Sequence, residues 1–334
     1  MRKKNINASD VAKFSGVSQS TVSRVFTPGA NVSEKTRRRV LQAANELGYH
    51  PNAIARGLIT QKTNMIGIAM GDVKNPFYAE ILGKFSYGLR TKGYHVLFVN
   101  TDTTDIQGEE VSQFLEYNVD GVIITDALLS SSVVTRFLEN DIPVVLFNRY
   151  IEDCPCSIVC CDNILGGTKI GEHFLNTGHQ RLAFIAGKRN TSTSKDREKG
   201  FREALRQKDL EPLLEFGEYT YHGGYAAAVR LLQMEQRPDG IFCANDIMAL
   251  GALDAAKQLG IKVPDDVSII GFDDIGMSAW PPYSLTTWQQ PVDFMIQAAI
   301  DILIQEIDDS AQEPQHRLIQ GGLIARNSVQ LRTT

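Results

Sequence analysis

Asn7-Ala8-Ser9-Asp10-Val11-Ala12-Lys13-Phe14-Ser15-Gly16-Val17-Ser18-Gln19-Ser20-Thr21-Val22-Ser23-Arg24-Val25-Phe26 decides how the rest of the chain is read. The stretch reads as two short helices with a tight turn between them. Asn7 can cap the first, with Asp10 three residues on to return the bond. Val11, Ala12 and Phe14 supply apolar surface. Gly16 tolerates the positive φ that a sharp helix-to-helix turn needs. Ser18 then caps a second helix, whose inner face carries Val22, Val25 and Phe26 at i, i+3 and i+4. Gln19, Ser20, Ser23 and Arg24 are left outside. A packed seam inside and small, polar, forked side chains outside suit a helix that enters a DNA major groove. An ordinary surface helix pair can show the same spacing, so the neighbouring charge has to decide.

The chain has 334 residues, 43% hydrophobic and 22% charged, enough for two or three globular domains. Its net charge of −5 hides an asymmetry. Residues 1–63 carry eleven Lys/Arg against three acids, a net +8, which leaves −13 for the remainder. A basic head on an acidic body suits a polyanionic partner for the head alone. Arg2, Lys3 and Lys4 could open a signal peptide, but no apolar segment follows them, and no apolar run approaches a membrane span. The expected location is therefore the cytoplasm. Four of the five cysteines cluster as Cys154-Pro155-Cys156 and Cys160-Cys161. The cluster could bind a metal, but Cys160 and Cys161 end an apolar β-like run in which neighbours point to opposite faces. Buried free thiols are the better reading.

Beyond residue 26, Val32-Ser33 opens a third helix, with Val40, Leu41, Ala44 and Leu47 as its apolar stripe and Gly48 as its end. Arg37, Arg38 and Arg39 are placed on its exposed side. Pro51 can start a further short helix that Gly57 weakens, so this segment would form only when docked. From Met65 the pattern changes to short apolar runs alternating with helical segments. Strands are expected at 65–70, 95–100, 121–125, 144–147, 182–186, 241–243, 268–271 and 318–324. Helices are expected at 78–92, 109–118, 131–140, 163–176, 195–209, 222–236, 246–259 and 292–307. Continuous apolar strands with helical crossovers predict doubly wound parallel sheets. The restart of the alternation predicts two similar α/β lobes, with the chain crossing between them near 160 and 290.

Ligands of open parallel sheets sit outside the carboxyl ends of the strands. Those ends bring Asp72, Asn75-Pro76-Phe77-Tyr78, Asn148-Arg149, Lys195 and Arg197, Asn245-Asp246 and Asp273-Asp274 toward one cleft. Carboxylates, amides, a guanidinium and aromatic faces suit a polyhydroxylated ligand. Asp246 could instead cap the helix that follows. Asp273 is the stronger site residue, with Asp274 left free for capping. Catalytic signatures are thin. No phosphate-binding loop, G-x-G-x-x-G, G-x-S-x-G or H-E-x-x-H occurs, and the six histidines show no metal-ligand spacing. No enzymatic activity, cofactor or metal is expected.

These residues together resemble the lac repressor / gal repressor family of bacterial transcriptional regulators, over essentially the full length. The most specific pieces are Asp10-Val11-Ala12, Gly16-Val17-Ser18, Thr21-Val22-Ser23-Arg24-Val25, Leu47-Gly48-Tyr49 and Pro51-Asn52. The body adds Asn75-Pro76-Phe77-Tyr78, Pro238-Asp239-Gly240, Asn245-Asp246, Val263-Pro264, Gly271-Phe272-Asp273 and Leu285-Thr286-Thr287. The resemblance implies an α/β chain in three parts. Residues 1–50 would form a helix-turn-helix DNA-binding domain and 51–63 a hinge helix and linker. Residues 64–334 would form a two-lobed, periplasmic-binding-protein-like clamshell for effector binding and dimerisation. Its N-terminal lobe would span about 64–161 and 290–320, and its C-terminal lobe about 162–289 and 321–331.

By the same resemblance the protein would be a homodimeric repressor on a pseudo-palindromic operator. A small metabolite between the lobes, a carbohydrate or sugar derivative, would control it. A purine-type corepressor is the alternative, and a solute-binding protein is disfavoured by residues 1–60. Gln19, Ser20 and Arg24 match base-reading positions. Leu58 matches the apolar wedge placed in the minor groove, with Ala55 one turn earlier. Phe77, Asn148, Arg197, Asn245 and Asp273 match effector contacts, Tyr219 and Gln290 match more loosely, and Thr193 supplies a small hydroxyl. Trp280-Pro281-Pro282 is bulkier than in many members and is placed at the cleft lining.

Overall fold

The computed structural model describes residues 6–26, 29–50, 62–101, 108–125 and 131–332. Two compact units divide the chain, residues 1–63 and 64–334.

In the first unit, helix α1 (Ala8–Ser15) is closed at its start by a reciprocal cap. Asn7 Oδ1 accepts the N–H groups of Ser9 and Asp10 at 2.9 and 3.1 Å, and the Asn7 N–H donates to Asp10 Oδ2 at 3.0 Å. Gly16 ends the helix at φ 64°, a conformation a side chain would strain. Ser18 caps α2 (Gln19–Val25), and Ser33 caps α3 (Glu34–Leu47). The three helices bury Val11, Ala12, Val22, Val25, Val40, Ala43 and Ala44.

Three details depart from the sequence reading. Phe14 and Leu41 are 58% and 44% exposed, because α1 packs through Val11 and Ala12 and α3 through Val40, Ala43 and Ala44. Arg37 is partly buried, and it donates to the carbonyls of Val25 at 2.9 Å and Ala30 at 3.2 Å. It thereby satisfies backbone acceptors at and beyond the end of α2, where no helical donor remains.

The second unit holds two six-stranded sheets. The strands of the first are β1 (Met65–Met70), β2 (His95–Asn100), β3 (Gly121–Ile124), β4 (Val144–Phe147), β5 (Ser157–Cys161) and β11 (His316–Ile319). Their order is β11-β5-β4-β3-β1-β2, and all pairings are parallel. Helices α4 (Pro76–Thr91), α5 (Gly108–Glu116) and α6 (Ser131–Leu138) are its crossovers. The second sheet contains β6 (Leu182–Ala186), β7 (Leu213–Phe216), β8 (Gly240–Cys243), β9 (Ser268–Asp273), β10 (Thr286–Gln289) and β12 (Gly322–Ile324). Their order is β12-β10-β9-β8-β6-β7, parallel except for β10 with β12. Its helices are α7 (Asn163–Asn176), α8 (Ser192–Arg206), α9 (Tyr221–Leu232) and α10 (Asp246–Gln258). The last long helix, α11 (Val292–Asp308), returns to the first sheet.

The polypeptide thus passes between sheets after β5, after β10, and between β11 and β12. The sequence predicts one strand over 318–324, but two form there, one in each sheet. The break falls at Gly321, where a Cβ would lie 2.3 Å from the Gln289 carbonyl oxygen. Strands β7 and β10 are not anticipated either. The first is only partly buried and carries Glu215, and the second reads Thr-Thr-Trp-Gln. The four central strands β3, β4, β8 and β9 are almost wholly buried, and β3, β4 and β8 are apolar throughout, as parallel strands covered on both faces must be.

Candidate functional site

Two surfaces carry the chemistry. On α2, Gln19, Ser20, Ser23 and Arg24 are exposed while Val22 and Val25 are buried, so a polar face is held out by a fixed seam. Ser20 is not independent of the cap. Its hydroxyl lies 2.8 Å from Ser18 Oγ, which also meets Thr21 Oγ1 at 2.8 Å. Ala55 and Leu58 lie outside the described residues.

The second surface is the cleft at the carboxyl ends of the strands in residues 64–334. It is lined by Asp72, Asn75, Phe77, Tyr78, Asn148, Arg149, Thr193, Arg197, Tyr219, Asn245 and Asp273. Of the eight effector residues expected from sequence, seven line it, and Gln290 stands behind Asp273. From the first sheet, Asn75 caps α4 by accepting the Phe77 N–H at 3.1 Å, and Pro76 needs no donor partner at the first helical turn. That turn presents the Phe77 and Tyr78 rings edge to face, 5.3 Å apart. Asn148 follows β4 at φ 69°, and its Nδ2 donates to Tyr78 Oη at 3.0 Å. Its Oδ1 is buried without a hydrogen-bond partner.

From the second sheet comes a buried guanidinium. Arg197, 2% exposed, donates through Nε to Asn163 Oδ1 at 2.8 Å and through Nη1 to the Ala244 carbonyl at 2.5 Å. It stacks 3.6 Å from the Phe272 ring centroid. Asp273 Oδ1 lies 3.7 Å from its Nη1 and accepts from Gln290 Nε2 at 2.7 Å. Burial pushes the Asp273 carboxyl up to about 6, against the pull of Arg197. Thr193 Oγ1 and Tyr219 Oη are 2.9 Å apart, and the Arg149 guanidinium covers the Tyr219 ring at 5.3 Å. Gln290 Oε1, like Asn148 Oδ1, is a buried acceptor with no partner.

The roles of Asn245 and Asp246 separate in the structure. Asn245 caps α10, its Oδ1 accepting the Met248 N–H at 3.0 Å. Asp246 is fully buried beneath the cleft and accepts from Thr287 Oγ1 at 2.6 Å, Ser278 Oγ at 2.7 Å and the Ile275 N–H at 2.9 Å. Burial, then the charge of Asp273, pushes its carboxyl up to about 7. Asp274 is tied down as well, by Arg326 Nη2 at 2.6 Å and Gln289 Nε2 at 2.8 Å. Trp280 is 52% exposed, and Pro281 and Pro282 border a separate groove with Leu253 and Tyr283, so this segment does not line the cleft.

Sequence reasoning missed Asn163, which fixes Arg197. It also missed Tyr150, whose N–H donates to Ser192 Oγ at 3.0 Å and whose hydroxyl donates to Asp196 at 3.0 Å. Their residue types alone gave no signal.

The free volume of the cleft is about 20 Å³, room for roughly one water. Fixed donors, buried acceptors and aromatic edges can bind and orient a polar ligand. They offer no activated nucleophile. Among the described residues no group of three metal-ligating side chains occurs, and no helix is long and apolar enough to cross a membrane.

Residues 8–52 match the family described as bacterial regulatory proteins, lacI family, and residues 172–329 match a periplasmic binding protein-like domain. The chain is 32% identical to the HTH-type transcriptional repressor PurR of Aliivibrio salmonicida, over 96% of this chain and 98% of that protein. Its structure is similar to that of the lac repressor dimer bound to operator and the anti-inducer ONPF. The TM-score there is 0.88 at 27% identity, covering 98% of this chain and 100% of that one. It is also similar to a complex of the transcriptional regulator CelR with cellobiose. There the TM-score is 0.72 at 29% identity, over 97% and 99% of the chains. The helix-turn-helix head, the two-lobed α/β body and these relationships agree: the chain belongs to the lacI family of bacterial regulatory proteins and is a DNA-binding regulator of transcription, not an enzyme.

Proposed function

We propose that the protein is a homodimeric repressor in the cytoplasm whose operator affinity is set by a sugar or sugar derivative bound between the lobes. In this reading residues 1–50 bind DNA, 51–63 act as hinge, and 64–334 dimerise and sense the effector. Gln19, Ser20 and Arg24 read bases, and Ala55 and Leu58 enter the minor groove. The observation that carries the effector class is the buried Arg197–Asp273 pair facing Asn148, Asn245 and Phe77. A planar donor and a carboxylate acceptor held side by side match vicinal hydroxyls and a ring oxygen, while an aromatic edge covers a sugar's C–H face. The lac repressor dimer on its operator supports the assembly, and the CelR–cellobiose complex supports a carbohydrate in the cleft.

The experiment is an operator-binding titration of the dimer with and without sugars, sugar acids and purines. A sugar should change operator affinity by roughly 5- to 150-fold, a coupling of about 1–3 kcal/mol. A response to purines alone would replace the sugar reading with a purine-type corepressor. No response from any of the three sets would remove metabolite control. Arg197→Lys should weaken the responding ligand by at least about tenfold, because one ammonium cannot reproduce the planar fork.

A further inference from the structure

The loop between β4 and β5 contains a pair of thiols that neither DNA binding nor the cleft uses. Cys154 Sγ and Cys156 Sγ are 2.8 Å apart, and both cysteines are free. Cys156 lines a cavity of about 170 Å³ together with Leu138, Pro143, Pro155 and Glu306. Cys154 is 6% exposed and Cys156 2%. The other three cysteines, Cys160, Cys161 and Cys243, are at most 1% exposed. We propose that Cys154 and Cys156 form an oxidation site, a dithiol that a hydroperoxide converts to an intrachain disulfide.

The geometry favours this pair. A disulfide bond of about 2.05 Å needs the two sulfurs to close by less than about 1 Å. Pro155 between them fixes one backbone dihedral and so limits how far the sulfurs can drift apart. The two thiols also differ in acidity in the useful sense. The contact with Cys156 lowers the Cys154 thiol against the opposing effect of burial, and the same contact, with burial, raises Cys156. Burial raises Cys160, Cys161 and Cys243. Of the five thiols, the least buried and most acidic one, beside a resolving thiol, is the arrangement that oxidises first.

The step balances. Cys154 thiolate attacks the peroxide oxygen and becomes a sulfenic acid, and the O–O bond breaks to release an alcohol or water. Cys156 then attacks the sulfenic sulfur, forming the S–S bond and expelling the sulfenic oxygen as water. Two thiols and one hydroperoxide give one disulfide, one alcohol and one water. The segment that carries the pair begins at Asn148 and Arg149 in the cleft and passes through Tyr150 on Ser192 and Asp196. It ends at Ser157, which is bonded to Glu306 of α11.

The test exposes the full-length native protein to one equivalent of hydrogen peroxide, then maps thiols by alkylation and peptide mass. The expected result is a fall in titratable thiols from five to three, with a linked Cys154–Cys156 peptide that a dithiol reductant reverses. Cys156→Ala should stop at a Cys154 sulfenic acid, trapped by a 1,3-diketone. If all five thiols remain, or Cys160, Cys161 or Cys243 reacts first, the proposal is overturned. The wild-type map decides this alone, so an unstable variant does not leave the question open.

Discussion

Asp246 shows how a single residue can be essential to a site it does not touch. Its carboxyl holds Ile275, Ser278 and Thr287 in place, so it joins the end of β9, the following turn and β10 under the cleft. Its folded pKa of about 7 lies above the ordinary value near 3.8, so the folded state binds the proton more tightly than the unfolded chain. The contribution to stability therefore falls as pH rises from about 4 to about 7, and stays low above that. Asp273, raised to about 6, adds to the same slope. Asp246→Asn removes the titration while keeping the shape. The thermal midpoint of the wild type should exceed that of the variant by more at about pH 5 than at about pH 8. A wild-type advantage that grows with pH would show the carboxylate to be held ionised. Sequence alone leaves these roles ambiguous because Asn245 and Asp246 are both good N-cap residues. Both are buried, and only their hydrogen-bond partners separate the cap from the anchor.

Elements place these residues, and two of them depend on glycine. A Cβ at Gly200 of α8 would stand 2.0 Å from the Ile164 carbonyl oxygen of α7, and one at Gly167 would stand 2.2 Å from the Arg197 carbonyl oxygen. Backbone atoms cannot step aside as a flexible side chain can, so the two helices pack at this distance only without side chains there. Gly200→Ala should destabilise the body by about 1–3 kcal/mol or more. It should also weaken effector binding, because Arg197 lies one turn away on the displaced helix. An unchanged thermal midpoint and unchanged affinity would mean the helices part freely. On α2, Arg24→Ala should cost roughly 1–3 kcal/mol and relax one operator position. A uniform loss across operator variants would mark Arg24 as a phosphate contact instead. The interior strands were legible because burial on both faces makes a parallel strand apolar throughout, as in Met65-Ile66-Gly67-Ile68-Ala69-Met70. Thr286-Thr287-Trp288-Gln289 lacks that signature. The step from β11 to β12 was hidden for a different reason. Neighbouring residues in one run give no sign that their pairing partners lie in different sheets.

At the scale of the whole body, the problem is how a cleft of about 20 Å³ admits a ligand. The lobes must part, or the side chains between them must turn aside, so the contacts that bridge them set the cost of entry and exit. Tyr150 is one such contact, reaching from the loop after β4 to Ser192 and Asp196 on α8. Arg149 over Tyr219 is another. Burial, followed by the nearby Asp196, raises the Tyr150 hydroxyl, so it remains a donor at neutral pH. Tyr150→Phe keeps the ring and its packing but removes this bond. A closed form that uses it should lose about 1–2 kcal/mol, a 5- to 30-fold change in its equilibrium. The effector should then dissociate faster and bind more weakly. The effector concentration needed for half-maximal change in operator affinity should rise by a similar factor. Operator binding without effector should change little if both lobe arrangements of the free protein lose the bond equally. It should shift if only one of them uses it, because a ligand and a mutation act on the same equilibrium only through differences between its states. Equilibrium titration with the wild type as reference, together with stopped-flow dissociation, measures both. Unchanged affinity and unchanged dissociation would show that the Tyr150–Asp196 bond carries no load between the lobes. Control would then rest on Arg149 and on the residues that touch the ligand.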